Sequence, residues 1–135
     1  EPGQRRLLRI SLLERPRDSD RIYRVAVTPE VADTEQDRSG VRVLLGYNLL
    51  VMARPPEAEA EITGERDGKT LVLRNRGRTN ALLVEGEQCA PGGSPCQDLP
   101  SRRLYAGNRW EVDLPYATEA RWNVRTRESV QARAW

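Results

Sequence analysis

Cys89 and Cys96, in Cys89-Ala-Pro-Gly-Gly-Ser-Pro-Cys96, are the pair of residues whose type and spacing most directly suggest chemistry, and that chemistry is a local disulfide. The intervening Pro and Gly residues favour a tight reversing loop that can bring the sulfurs together. Closing it would stabilise a fold by about 2 kcal/mol on the chain-entropy model. Two free thiols are the alternative. The chain has no histidine, and two thiols alone cannot supply the four ligands of a usual structural zinc site. Neither a metal nor another cofactor is expected. A disulfide implies an oxidising compartment, a periplasm or the cell exterior.

Catalysis has little to stand on. Without histidine, a nucleophile-elbow pattern around any serine or a glycine-rich phosphate loop, only carboxylate chemistry is left, and most carboxylates fall in turns or at strand ends. The chain is not read as an enzyme. Its 22 basic residues, all Arg except Lys69, are offset by 20 acidic ones, and a net charge of +2 does not draw the molecule to nucleic acid or an anionic membrane. Arg74 with Arg76, and Arg125 with Arg127, are spaced by two. Each pair makes either a basic stripe for an acidic partner or an ordinary solvated strand face. Trp110 and Trp122, spaced by two from Val112 and Val124, read as core rather than as ligand platforms. No run reaches the length of a membrane span, and Glu-Pro-Gly-Gln-Arg-Arg at the start lacks the apolar core of a secretory signal, so no membrane insertion is expected and any signal was removed or lay upstream.

The elements that position these residues are strands. Val41 to Pro55 reads as one long strand with a surplus of apolar side chains: Val41, Val43, Leu45, Tyr47, Leu49, Val51 and Ala53 line one face, and Leu44, Leu50 and Met52 add apolar surface to the other. A half-exposed strand should alternate apolar with polar. This one is either a central strand covered on both faces or an edge strand reserved for a partner. Arg5 to Leu13 and Arg21 to Val27 are apolar-rich runs joined by a polar loop, giving three strands before Arg54-Pro55-Pro56, a stiff linker that stops central pairing.

After the linker come strand patterns at Ala58 to Glu65, Lys69 to Asn75, Asn80 to Glu87, Arg102 to Tyr105, Arg109 to Leu114, Ala120 to Arg127 and a final run to Trp135, with breakers at Asp67-Gly68, Arg76-Gly77, the cysteine loop, Ala106-Gly107 and Pro115. About seven short strands with turns at such spacing is the pattern of an immunoglobulin-type sandwich. The expected fold is therefore all-β: an incomplete first domain over residues 1–56, containing the strand 41–53, and a complete second domain over residues 57–135. Three strands make half a sandwich, so the first part lacks its other half or borrows it.

The order Arg-Leu-Leu-Arg-Ile, Ile-Tyr-Arg-Val-Ala-Val-Thr-Pro, the long apolar strand ending Ala-Arg-Pro, and then Leu104-Tyr-Ala-Gly-Asn-Arg-Trp-Glu-Val-Asp-Leu-Pro115 resembles the periplasmic chaperones of the chaperone-usher pilus pathways, PapD-like and of a divergent branch. The resemblance implies two immunoglobulin-like domains and a chain that starts partway through the first. It also implies periplasmic localisation, pilus or fimbrial subunits and an outer-membrane usher as partners, and a role in assembling cell-surface structures. Such a chaperone lends a strand to a subunit that lacks one, a case the general scheme of β-strand addition includes.

On this resemblance the donor face is Val41, Val43, Leu45 and Tyr47. The best-studied members carry a Lys four residues before the Arg-Pro pair to hold the subunit's terminal carboxylate; Leu50 stands there in this chain. Arg24 is a candidate replacement, since a guanidinium binds a carboxylate with two parallel hydrogen bonds, and otherwise it is a solvent-facing strand residue. The uncovered strands of the first part are further expected to pair with a second copy, giving a homodimer. A secreted β-sandwich adhesion or carbohydrate-binding module, with the apolar strand a buried centre, is the alternative function.

Overall fold

The computed structural model describes residues 7–30, 41 and 43–135. In chain order its strands are β1 (Arg21–Val27), β2 (Tyr47–Ala53), β3 (Ile62–Asp67), β4 (Thr70–Asn75), β5 (Ala81–Cys89), β6 (Cys96–Leu99), β7 (Arg102–Leu104), β8 (Arg109–Asp113), β9 (Ala120–Arg125) and β10 (Val130–Ala134), with no helix among the described residues.

Period-two alternation decides which faces meet. In β4 the buried side chains are Leu71, Leu73 and Asn75, in β8 Trp110 and Val112, and in β9 Ala120, Trp122 and Val124. One antiparallel sheet has the order β3-β4-β8; the other has the order β10-β9-β5-β6, with β7 also on β5. Their apolar faces close on one core running from Ile62 to Val124, against which Ala60 and Trp135 pack. This is an immunoglobulin-like β-sandwich. Trp122 stands at its centre, edge-on to Trp110 with ring centroids 6.0 Å apart and tilted against Trp135 at 6.2 Å.

A bulge sets the middle of β5. The β5–β9 register shifts between Val84 and Glu87, and Glu85 takes a positive φ of 52° there. The parity of burial therefore switches from Ala81 and Leu83 before the bulge to Gly86 and Gln88 after it. Gly86 makes room for the central indole: a Cβ there would lie 2.3 Å from Trp122 Nε1. Across from the bulge the return strand also breaks, because Pro100 has no amide to give to a ladder and divides β6 from β7. Its freed carbonyl accepts the Trp122 Nε1–H at 3.1 Å.

Several sequence expectations need correcting here. Cys96–Leu99, which begins at the end of the cysteine loop and was not among the expected strands, is strand β6, paired with Gly86–Cys89. Residues 7–13 of the expected strand Arg5 to Leu13 form no strand, so two strands rather than three precede the linker among the described residues. Strand β2 begins only at Tyr47, not Val41. The reason lies in its partner: β1 ends at Val27, two residues before Pro29, which cannot donate to a ladder, and Gly46 stands opposite that end. Arg127 lies in the bend after β9, so it does not share a strand with Arg125.

Candidate binding strand

Strands β1 and β2 form a two-stranded antiparallel ribbon, with Arg21 opposite Ala53 and Val27 opposite Tyr47. Directly paired residues share a face. One face therefore carries Tyr23, Val25, Val27, Tyr47, Leu49 and Val51; the other carries Ile22, Arg24, Ala26, Asn48, Leu50 and Met52. A ribbon of two strands cannot bury either face by itself, and Ile22, Tyr23, Leu49 and Leu50 are all left exposed.

The surplus grows toward the start of β2. Exposure is 61% at Tyr47, 71% at Leu45, 80% at Val43 and 94% at Val41, and Leu44 is 53% exposed. Among the described residues no strand pairs with 41 or 43–46. Four apolar or aromatic side chains at alternate positions thus stand in solvent at the open end of the ribbon. Single exposed apolar residues are ordinary; a contiguous row of them marks an interaction surface.

At the other end of the ribbon, residues 10–14 run beside it. Ile10, Leu12 and Leu13 line a cleft of about 730 Å³ with Tyr23, Val25, Val51 and Ala53. The same apolar face that is open at Tyr47 is therefore partly roofed near Ala53.

Arg24 sits directly opposite Leu50, on the face away from Tyr47. The residue expected to hold a carboxylate and the residue at the family's lysine position are thus cross-strand neighbours, although Arg24 and the row ending at Tyr47 occupy different faces. Cys89 and Cys96 are directly opposed across β5 and β6 and form the disulfide. Trp110 and Trp122 are core residues. Arg74 is exposed on β4, whereas Arg76 lies just past the end of that strand and so does not share its face, exposed and 3.7 Å from Glu65; Arg125 is paired with Glu85 at 2.6 Å. These partners make the arginines part of a charged, solvated face.

Asp20 makes contacts that its sequence context does not signal. One oxygen of its carboxylate accepts hydrogen bonds from the Thr79 hydroxyl (2.9 Å), the Asn80 amide (2.9 Å) and the Asn80 side chain (2.6 Å). Its place in a polar Asp-Ser-Asp run suggested a turn. The only local signal of another role is that it immediately precedes β1.

No protein-family model and no curated protein sequence matches the chain. Among solved structures, the crystal structure of the class 5 fimbriae chaperone CfaA aligns with a TM-score of 0.61 at 15% identity. This chain has the fold of a fimbrial chaperone. The alignment covers 87% of this chain and 59% of CfaA, so the chain spans about three-fifths of the length of that chaperone. No helix of the described residues is long and apolar enough to cross a membrane.

Proposed function

We propose that this chain is part of a periplasmic chaperone that binds an incomplete fimbrial subunit by lending it the strand 41–47 and hands it to an outer-membrane usher. The observation that carries the reading is the exposed row Val41, Val43, Leu45 and Tyr47, which leads into β2 and of which Val41, Val43 and Leu45 have no partner strand among the described residues. Backbone groups of such a segment can complete a partner's sheet while its side chains fill the partner's open core. Burying four side chains of this size yields a gross gain of roughly 6 to 12 kcal/mol before ordering and association costs are subtracted. In this reading Arg24, beside Leu50, holds the subunit's terminal carboxylate at the inner end of the added strand. Residues 1–56 then belong to the donor domain and residues 57–135 to a second domain, and the disulfide suits an oxidising periplasm.

The rival reading, a binding module with the apolar strand at its buried centre, fits the exposure at 41–47 poorly. Leu45→Glu tests the proposal, since it would force a carboxylate without a partner into an apolar pocket. Co-purification with a fimbrial subunit should fall at least tenfold, while the sandwich keeps its thermal transition. Unchanged capture would remove this face from consideration and favour the opposite parity, with Leu44 inward.

A further inference from the structure

We propose that the Cys89–Cys96 bond is a charge-selective site of thiol–disulfide exchange, taking cationic or neutral thiols in preference to anionic ones, with Glu87 and Asp98 setting the selection. The inference stands apart from the strand-donor reading.

The register of the β5–β6 hairpin brings these groups together. Cys89 is directly opposite Cys96, and two residues further along the ladder Glu87 is directly opposite Asp98. Side chains two apart on a strand share a face. Gly86 and Gln88 take the inward positions of this part of β5, so the bond and both carboxylates lie on the outer face. A carboxylate oxygen of Glu87 comes within 4.8 Å of the sulfurs of both cysteines. Glu87 is also directly opposite Arg121 on β9, but that guanidinium pairs with Glu119 at 3.1 Å. Among the described residues neither Glu87 nor Asp98 forms an ion pair. Three carboxylates and one guanidinium therefore surround the bond, and its setting is net negative.

The bond is also within reach of a reagent. Cys96 is exposed and Cys89 half-buried, and a cleft of about 370 Å³ opens onto Cys89, with Glu87, Gly92, Gly93, Glu119 and Arg121 around it. Exchange here starts with a small thiolate attacking Cys96 Sγ, the more exposed sulfur. The S–S bond breaks, its electron pair leaves on Cys89 Sγ, and the reagent is left in a mixed disulfide with Cys96. A second thiolate attacks the reagent's own sulfur, releasing the small disulfide and the Cys96 thiolate, and both cysteines take up protons. Every attacking sulfur is an anion, so what distinguishes one thiol from another at this site is the charge it carries beyond the sulfur. An ammonium is drawn toward Glu87 and Asp98, whereas a further carboxylate is repelled.

The experiment takes the 135-residue chain with the bond closed and follows its opening by cysteamine, mercaptoethanol and glutathione, which are cationic, neutral and anionic beyond the sulfur. Freed thiols are alkylated and counted by mass, and each rate is divided by the thiolate concentration of its reagent. The readout is the ratio of the cysteamine rate to the glutathione rate, because a change that merely loosens the hairpin moves both rates alike. In Glu87→Gln the ratio should fall about fivefold, the size expected when reagents differing by two charges pass one carboxylate at roughly 7 Å in water. Adding Asp98→Asn should lower it further, and high salt should shrink it in the parent. If the bond resists all three thiols, closure of the reduced chain by cystamine and by oxidised glutathione gives the same ratio, since the reverse step passes the same charges. A ratio equal in the parent and the Glu87→Gln/Asp98→Asn variant, or unaltered in the parent by salt, overturns the proposal. Equal acceleration of every thiol does so too, and leaves Glu87 a purely structural part.

Discussion

Asn75 carries more of the sandwich than its size suggests, because four backbone groups depend on one side-chain amide. Its nitrogen donates to the carbonyls of Thr79 and Leu104 at 2.7 and 3.0 Å, and its oxygen accepts from the amides of Glu61 at 3.2 Å and Gly77 at 3.0 Å. The residue is almost wholly buried, at 1% exposure, so no water replaces a lost partner. Asn75→Ala should therefore cost about 3 kcal/mol, the sum of orphaned buried groups rather than of one bond. Urea unfolding followed by tryptophan fluorescence checks this; a loss under 1 kcal/mol would mean the freed groups find solvent. Asn75→Asp should be nearly as harmful, since a carboxylate has no hydrogens for the two carbonyls. Gln88 plays a similar part at the opposite end, taking the Tyr116 amide at 3.1 Å and donating to the Tyr116 carbonyl at 3.0 Å.

At the scale of elements, the β5–β6 hairpin is closed twice, by its ladder and by the disulfide. The Cys89→Ser/Cys96→Ser double variant should lose about 2 kcal/mol, as expected for so short a closed loop, and should keep its fold because the core is built elsewhere. Equal urea midpoints for variant and parent would show that the ladder alone holds the hairpin; a thiol titration finding two free sulfhydryls in unreduced, unfolded protein would contradict the bond itself. This hairpin also marks what the sequence could convey. Strands β4, β8 and β9 announced themselves through apolar residues two apart between turn signals, and the tryptophans fell on their inward positions as expected. Strand β6 did not, since Cys-Gln-Asp-Leu has only one strongly apolar residue and becomes a strand by pairing with β5. Nor could alternation reveal the bulge that swaps the inward parity of β5 after Val84. The run before Leu13 shows the converse: apolar composition alone did not make residues 7–13 a strand, although each ribbon strand has an edge with no partner strand among the described residues. For the candidate binding strand, the sequence carried the row of apolar residues but not where pairing stops, which Pro29 of the neighbouring segment decides. Asp20 was hidden for a different reason, as its three donors lie about sixty positions away.

For the molecule as a whole, the contrast between its two parts governs association. The sandwich closes over its own core, whereas the ribbon leaves Ile22, Tyr23, Leu49, Leu50 and the whole row from Val41 to Tyr47 in water. Each ribbon strand also has one backbone edge with no partner strand among the described residues. Exposed edges beside apolar faces seek other strands. Alone in solution, the 135-residue chain should therefore pair with a second copy through the ribbon and the segment 41–47, by strand exchange or edge-to-edge addition, while the sandwich remains monomeric in structure. Such a contact is chiefly apolar and main-chain in character. Raising the salt concentration to 1 M should leave it intact, because screening weakens exposed ionic contacts and not this kind. Sedimentation at micromolar concentration should then give a dimer at both low and high salt, with Leu45→Glu shifting it toward monomer. A compact monomer whose amides from 41 to 53 are as protected as those of β4 would contradict the prediction, and would mean that the ribbon has found cover within its own chain. A dimer that dissolves at high salt would instead point to the charged outer faces, where Arg76 meets Glu65 and Arg109 meets Glu111.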